Sequence, residues 1–259
     1  GGGGGGAGGG AGSRPADAGA EPLAAALAAR LGGGLKRQEA IRSSGRGTAR
    51  DRLGLLLDED SFLEIDAFVT HRTDDHNMFL HKTLGDGVVA GQGTIDGRRI
   101  YCFAQDFSVH GGSMGEMHAL KIAKIVEMAE RAKAPLIAMW DGGGQRAQDG
   151  VNALAGTGEL LDRLVQCSGR IPIISIVLGP VVGVSALAAA LSDITILGEE
   201  HGQLFLSSPL ETPEVIALLQ EEVTRTHQRL RRNSTELQSS FRRTISSPPA
   251  PTERDKYQT

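Results

Sequence analysis

Two glycine-rich junctions carry the strongest chemical signal in the sequence. One is Asp141-Gly142-Gly143-Gly144-Gln145-Arg146, after the apolar run 136–140. The other is Gly179-Pro180-Val181-Val182-Gly183-Val184-Ser185, after the apolar run 171–178. In each, a buried-strand pattern meets a loop that opens a helical pattern. Glycine lets a ligand approach the main chain closely, and the first turn of a helix carries N–H groups without intrahelical acceptors. Such amides suit a phosphate or a developing oxyanion. The same glycines also serve as tight turns with no ligand at all. Spacing excludes the commoner assignments: neither loop has the G-x-x-x-x-G-K-[ST] of a nucleotide P-loop, nor the G-x-G-x-x-G that follows the first strand of a dinucleotide fold. There is no G-x-S-x-G nucleophile elbow either. A main-chain oxyanion site remains, and it needs no nucleophilic side chain.

The elements that must position these loops change character along the chain. Residues 22–31 are alanine-rich and read as a short helix ended by Gly32-Gly33-Gly34. Thr48-Ala49-Arg50-Asp51 has the form of a capping box that starts a helix with Leu53, Leu56 and Leu57. Alternation over 63–69 predicts a strand, and 87–95 and 99–104 predict two more around Asp96-Gly97. Asp-Gly favours a type I′ hairpin, so this region is expected to be antiparallel. Beyond it, helical patterns at 115–132, 151–166 and 185–191 alternate with strand patterns at 136–140, 171–178 and 194–197. Crossover helices between strands imply a mostly parallel sheet.

Not all of the 259 residues read as foldable. Ten of the first twelve are glycine. Composition divides the chain into a Gly/Ala-rich disordered segment at 1–34, a domain at 35–223 and a polar tail at 224–259, with a further helix expected at 214–222. A net charge of −4 gives no nucleic-acid footprint. No apolar run is long enough for a membrane span, and the N-terminus has no secretory signal pattern. Cys102 and Cys167 read as reduced thiols in a reducing compartment. His71, Asp74, Asp75, His76 and His81 fit no metal-ligand spacing, so no metal is expected. His110 and His118 flank Gly111-Gly112 without a paired carboxylate and are not read as general bases.

Taken in order, these motifs resemble the beta subunits of biotin-dependent acyl-CoA carboxylases, of the propionyl-CoA and methylcrotonyl-CoA type. The matching residues run from Gly47-Thr48-Ala49-Arg50-Asp51-Arg52-Leu53, through Gly91-Gln92-Gly93-Thr94-Ile95-Asp96-Gly97-Arg98 and Gln105-Asp106-Phe107-Ser108-Val109. They continue through Gly111-Gly112-Ser113-Met114-Gly115-Glu116 to both glycine junctions and Leu191-Ser192-Asp193. The similarity covers about residues 35–210 and implies an α/β, crotonase-like ββα superhelix, here as a single N-terminal carboxyltransferase domain.

The resemblance further implies that this part holds an acyl-CoA. A carboxyl group passes from carboxybiotin to the α-carbon of the acyl thioester, while main-chain N–H groups stabilise the enolate oxygen. The implied donors are Gly183 and Val184, although the family has glycine where Val184 stands. Val181 and Val182 replace small residues, and Gln145 stands where alanine is usual. Gly142, Gly143, Gly144, Arg146 and Lys121 are the implied CoA-binding residues, with Lys124 a further cation. Arg146 equally suits a salt bridge to Asp149 or a neighbour, and the two lysines equally suit a solvated helix face. Biotin would be carried by a partner alpha subunit, and the intact family is oligomeric. The expected compartment is bacterial cytoplasm or mitochondrial matrix. The half that binds biotin in the family has no counterpart here, so the chain is expected to be incomplete alone. Two other readings stay open: a biotin-linked decarboxylase subunit, and a non-catalytic assembly protein of the same fold.

Overall fold

The computed structural model describes residues 17–207. Residues 214–222 and the tail lie outside them. One sheet organises the described chain, from β1 (Leu63–Glu64), β2 (Val88–Ile95), β3 (Arg98–Gln105), β4 (Leu136–Gly142), β5 (Ile173–Val182), β6 (Ile194–Leu197) and β7 (Gln203–Phe205). The strand order is β1-β2-β3-β4-β5-β6, with β7 pairing β5. β1, β2 and β3 are antiparallel, and β3 to β6 are parallel. The change of direction expected from the sequence is therefore present. Asp96 (φ 50°) and Gly97 (φ 72°) both take positive φ at the β2–β3 turn, as a type I′ hairpin requires.

The helices are α1 (Asp17–Leu31), α2 (Leu35–Ser43), α3 (Ala49–Leu56), α4 (Glu116–Ala132), α5 (Val151–Cys167) and α6 (Val184–Ala190). α1 occupies part of the segment that composition assigns to disorder. The capping box forms: Asp51 N–H donates to Thr48 Oγ1 at 3.2 Å and Thr48 N–H to Asp51 Oδ2 at 3.0 Å.

β4 is covered on both sides, which explains its unbroken apolar run. Leu136, Ala138 and Trp140 join Phe103, Ile122, Ile125, Leu160 and Leu164 beneath α4 and α5. Ile137 and Met139 join Ala49, Leu53 and Leu57 beneath α3.

Three expectations about strands change. The strand expected over 63–69 shrinks to two residues, because Asp66 takes a left-handed φ of 56° and ends the extended run. β4 continues through Gly142, and β5 continues through Gly179-Pro180 to Val182. Pro180 is tolerated inside β5 because the strand changes partner there, from β6 at Ile174–Val177 to β7 at Pro180–Val182.

Candidate functional site

The carboxyl ends of β3, β4 and β5 converge, the region where open parallel sheets place ligands. Main chain packs on main chain there. A Cβ on Gly142 would lie 2.2 Å from Gly112 O, and one on Gly112 would lie 2.2 Å from Asp141 O. His110, Gly111 and Gly112 all take positive φ to make that approach. Gly143 N–H donates to Gly111 O at 3.0 Å, Met114 N–H to Gly144 O at 2.7 Å and Arg146 N–H to Met114 O at 2.9 Å. The loop after β4 is thus bonded to the turn after β3, and its amides at Gly143 and Arg146 serve the fold.

Asp141 anchors the same strand end. Its buried carboxylate is held by Arg46 and, at 2.7 Å, by Arg52, while the Arg46 guanidinium lies 4.4 Å from the Phe107 ring centroid. Gly179 must lack a side chain, because a Cβ would fall 2.0 Å from Asp141 Oδ1. A directional chain of hydrogen bonds fixes the position of Asp141. His118 Nδ1 donates to Asp86 O at 2.9 Å, its Nε2 accepts from Gln105 Nε2 at 3.3 Å, and Gln105 Oε1 accepts from Asp141 N–H at 3.0 Å. That tautomer is assigned from the network. Burial, and then the nearby Arg146 charge, hold His118 well below the usual histidine range, so the imidazole stays neutral.

Arg146 does not face a ligand. It precedes a short 3₁₀ turn, Ala147–Asp149, rather than opening a helix. Its guanidinium is 1% exposed, with Nη1 2.5 Å from Asp86 Oδ1 and Nη2 donating to Ser113 O at 2.9 Å. The internal salt bridge is realised mainly with Asp86, and Asp149 lies 4.0 Å away. Burial raises the Asp86 carboxyl, and the Arg146 charge opposes that rise.

Lys121 also points inward, donating to Val88 O at 2.6 Å and Gly85 O at 3.4 Å. Burial pushes its ammonium down to about 8. Lys124 lies at the surface and pairs with Asp66 at 2.8 Å. Neither Arg146 nor Lys121 therefore offers its charge to a CoA phosphate from this position.

The loop after β5 is different. Gly183 needs its glycine for backbone conformation (φ 64°, ψ −129°). Its N–H, however, donates to Phe205 O at 2.7 Å, because the β5–β7 pairing continues one residue past Val182. Gly183 is thus not a free donor. Among the described residues the Val184 N–H has no hydrogen-bond acceptor, and the next hydroxyl, Ser185 Oγ, is buried without a partner. The available pair is displaced by one residue, to Val184 and Ser185.

Several residues escaped the reading by motif. Ser185 was visible only as a polar residue in the glycine junction. Arg46 and Arg52 flank the capping box, yet nothing in the spacing tied them to Asp141. Arg37, exposed on α2, reaches the same end of the sheet, where Nη1 donates to Ser108 O at 3.3 Å. Of the histidine-rich stretch, His71 is buried and bonded to Met78 O at 3.0 Å, and Asp74 pairs with Lys82 at 3.2 Å. The described residues hold no group of three His, Cys, Asp or Glu arranged for a metal, and no helix long and apolar enough to cross a membrane. A cavity of about 490 Å³ lies between α1, α3 and β1, lined by Arg30, Arg50, Leu53 and Phe62 among others. It shares no lining residue with the glycine loops.

A mixed sheet whose parallel strands run into glycine loops, with helices packed on it, is an α/β domain of the crotonase type. The carboxyl transferase domain family matches residues 40–230, and the chain belongs to that family. It is 49% identical over 182 residues to the propionyl-CoA carboxylase beta chain of Roseobacter denitrificans, covering 70% of this chain and 36% of that protein. It is 44% identical over 195 residues to the methylmalonyl-CoA decarboxylase subunit alpha of Veillonella parvula, covering 75% and 38%. A solved transcarboxylase 12S, with methylmalonyl-coenzyme A and methylmalonic acid bound, superposes with a TM-score of 0.73 at 37% identity, covering 76% and 39%. The chain therefore spans little more than a third of the length of the proteins it matches.

Proposed function

We propose that the chain holds the acyl-CoA side of a carboxyltransferase that moves a carboxyl group between carboxybiotin and the α-carbon of a short acyl thioester. Forming a carbanion beside a thioester places negative charge on its oxygen, so donors aimed at that oxygen lower the barrier. The Val184 N–H, without an acceptor among the described residues at the carboxyl end of β5, is the observation that carries this reading. The Ser185 hydroxyl is a second donor beside it. Arg37 replaces Arg146 and Lys121 as the cation available to a CoA phosphate, since it lies at the strand ends with its charge in solvent.

Biotin supplies the carboxyl group, and it belongs on another polypeptide. The Val184 amide and the Ser185 hydroxyl form a donor set at these strand ends that fits a thioester oxygen. On this reading the biotin-facing site lies on a second part, and catalysis requires it. The direction of transfer is not fixed by this site. The same amide serves carboxylation and decarboxylation, because both pass through the same enolate oxygen, and relatives of both kinds match. The two buried thiols accord with a reducing compartment, cytoplasm or mitochondrial matrix.

Val184→Pro tests the assignment directly. Proline is well tolerated at the first position of a helix, and it removes only the N–H in question. Titration calorimetry with propionyl-CoA should show at least about tenfold weaker binding in the variant, or ~1.4 kcal/mol, with free CoA unaffected. Val184→Ala keeps the amide and should bind as the native chain does. No saturable propionyl-CoA binding by the native chain would leave only the assembly-protein reading.

A further inference from the structure

Seven buried side-chain atoms find no hydrogen-bond partner among the described residues, and four of them gather around Arg146: His71 Nδ1, Asp86 Oδ2, Asp149 Oδ1 and His110 Nε2. Folded interiors rarely leave such atoms unanswered. His71 enters this cluster from the start of the long connection between β1 and β2, and Asp86 enters from its end. Asp86 holds a left-handed φ of 46°, which a non-glycine residue keeps only where its surroundings fix it. His71 Nε2 lies 3.0 Å from Met78 O. A carbonyl only accepts, so Nε2 carries the hydrogen and Nδ1 of a neutral ring keeps a lone pair. That nitrogen is 3.9 Å from Asp86 Oδ1. Two acceptors face each other with no hydrogen between them.

Every element packed on this pair brings charge or a titratable ring. From the loop after β4, Arg146 Nη1 donates to Asp86 Oδ1 at 2.5 Å. The 3₁₀ turn brings the Asp149 carboxylate, 4.0 Å from the same nitrogen, and its Oδ2 already accepts from Glu116 N–H at 3.0 Å. The turn after β3 brings His110, edge-on to the His71 ring at a centroid distance of 6.0 Å. Helix α4 brings the neutral His118, bonded to Asp86 O, and Lys121, whose ammonium interacts more strongly with Glu64 and Asp66 than with Asp86. One guanidinium thus serves two buried carboxylates. The cluster is one positive charge short.

We propose that a single proton shared by His71 and Asp86 supplies that charge and pins segment 66–84 against the loop after β4, and that the pin loosens as rising pH removes the proton. One hydrogen satisfies both facing acceptors at once. On Nδ1 or on the carboxyl, it belongs to the pair rather than to either residue. Burial raises the Asp86 carboxyl, and the Arg146 charge opposes that rise, so the folded chain binds this proton more tightly than the unfolded chain does. The stabilisation is therefore complete below the ordinary carboxyl value and is lost as pH climbs through the raised one. The segment depends on the pin because its ties through Arg72 to Glu116, Thr73 to Gln148 O and Asp66 to Lys124 are exposed, and exposed pairs contribute little. None of this rests on the carboxyltransferase reading.

Nuclear magnetic resonance of the full chain reads the proton directly, from the Asp86 carboxyl carbon and the His71 ring nitrogens between about pH 5 and 8. One of the two groups should carry it at the acid end and neither at the alkaline end. Hydrogen exchange in segment 72–84, corrected for the intrinsic rate at each pH, should show protection falling at least about tenfold across that range. Asp86→Asn sets a permanent N–H donor opposite His71 Nδ1 and should make the protection equal at both ends. His71→Phe removes the acceptor and should leave the segment weakly protected at both. An Asp86 carboxyl ionised and a His71 Nδ1 bare throughout would overturn the proposal. So would protection in the native chain that does not change with pH, or a pH dependence that Asp86→Asn retains.

Discussion

The loops after β4 and β5 have nearly the same sequence signature but opposite structural roles. The first, at Gly142–Arg146, is tied to the fold at both ends: its amides at Gly143 and Arg146 bond the turn at 111–114, and its one charged side chain is buried against Asp86, while the Gly144 and Gln145 amides between them have no acceptor among the described residues. The second, at Gly183–Ser185, leaves the Val184 amide and the Ser185 hydroxyl unsatisfied among the described residues. Glycine loops at strand ends thus divide into those that let backbone meet backbone and those that let backbone meet a ligand. Only an account of each hydrogen bond distinguishes them.

That division can be broken most forcefully at Arg146. Replacing it with Met leaves the Asp86 carboxylate buried and uncompensated, which should cost about 3–5 kcal/mol. Urea denaturation measures the loss. A variant of near-native stability would show that the first loop does not depend on this pair.

Lys121 gives the next largest effect, through pH. Its folded-state value of about 8 lies below the ordinary 10.5, so between those values the unfolded chain binds more protons. Stability should therefore rise as pH climbs through that window, by up to about 3 kcal/mol. Cys102, raised by burial to about 12 from 9.0, acts in the opposite sense above pH 9. The difference between the native chain and Lys121→Met isolates the lysine, and denaturation midpoints at pH 7.5 and 9 provide the check. A difference that does not change with pH would contradict the buried ammonium.

The smallest effect is at Thr48, whose cap starts the helix that carries Arg52 to Asp141. Thr48→Ala should lower stability by about 1 kcal/mol. Propionyl-CoA binding should be almost unchanged if the second loop is independent of the first strand end.

Much of this architecture is legible in the residues. Asp96-Gly97 marks the hairpin, Thr48 and Asp51 mark a helix start, and alternating helix and strand patterns mark the parallel half. Strand ends are harder to read. Asp66 ends β1 through a left-handed φ that alternation does not register, and Gly179-Pro180 resembles a stop although β5 runs through it to reach β7. The site is harder still. Arg146 and Lys121 are cations at suitable spacings, but their direction depends on groups far away in sequence. Asp86 lies 60 residues before Arg146, and the carbonyls of Gly85 and Val88 have no signature at all. Gly183 is a donor implied by the resemblance alone, and nothing in its neighbourhood in sequence announces that Phe205 takes up its amide from the last described strand.

The bond from Gly183 to Phe205 makes β7 a latch. Residues 203–205 take up the Gly183 amide, while the Val184 amide beside it has no acceptor among the described residues. Releasing that short strand would free the Gly183 amide without any change in the glycine loops. Sequence changes in β7 therefore alter the hydrogen bonding of the loop after β5 from a distance.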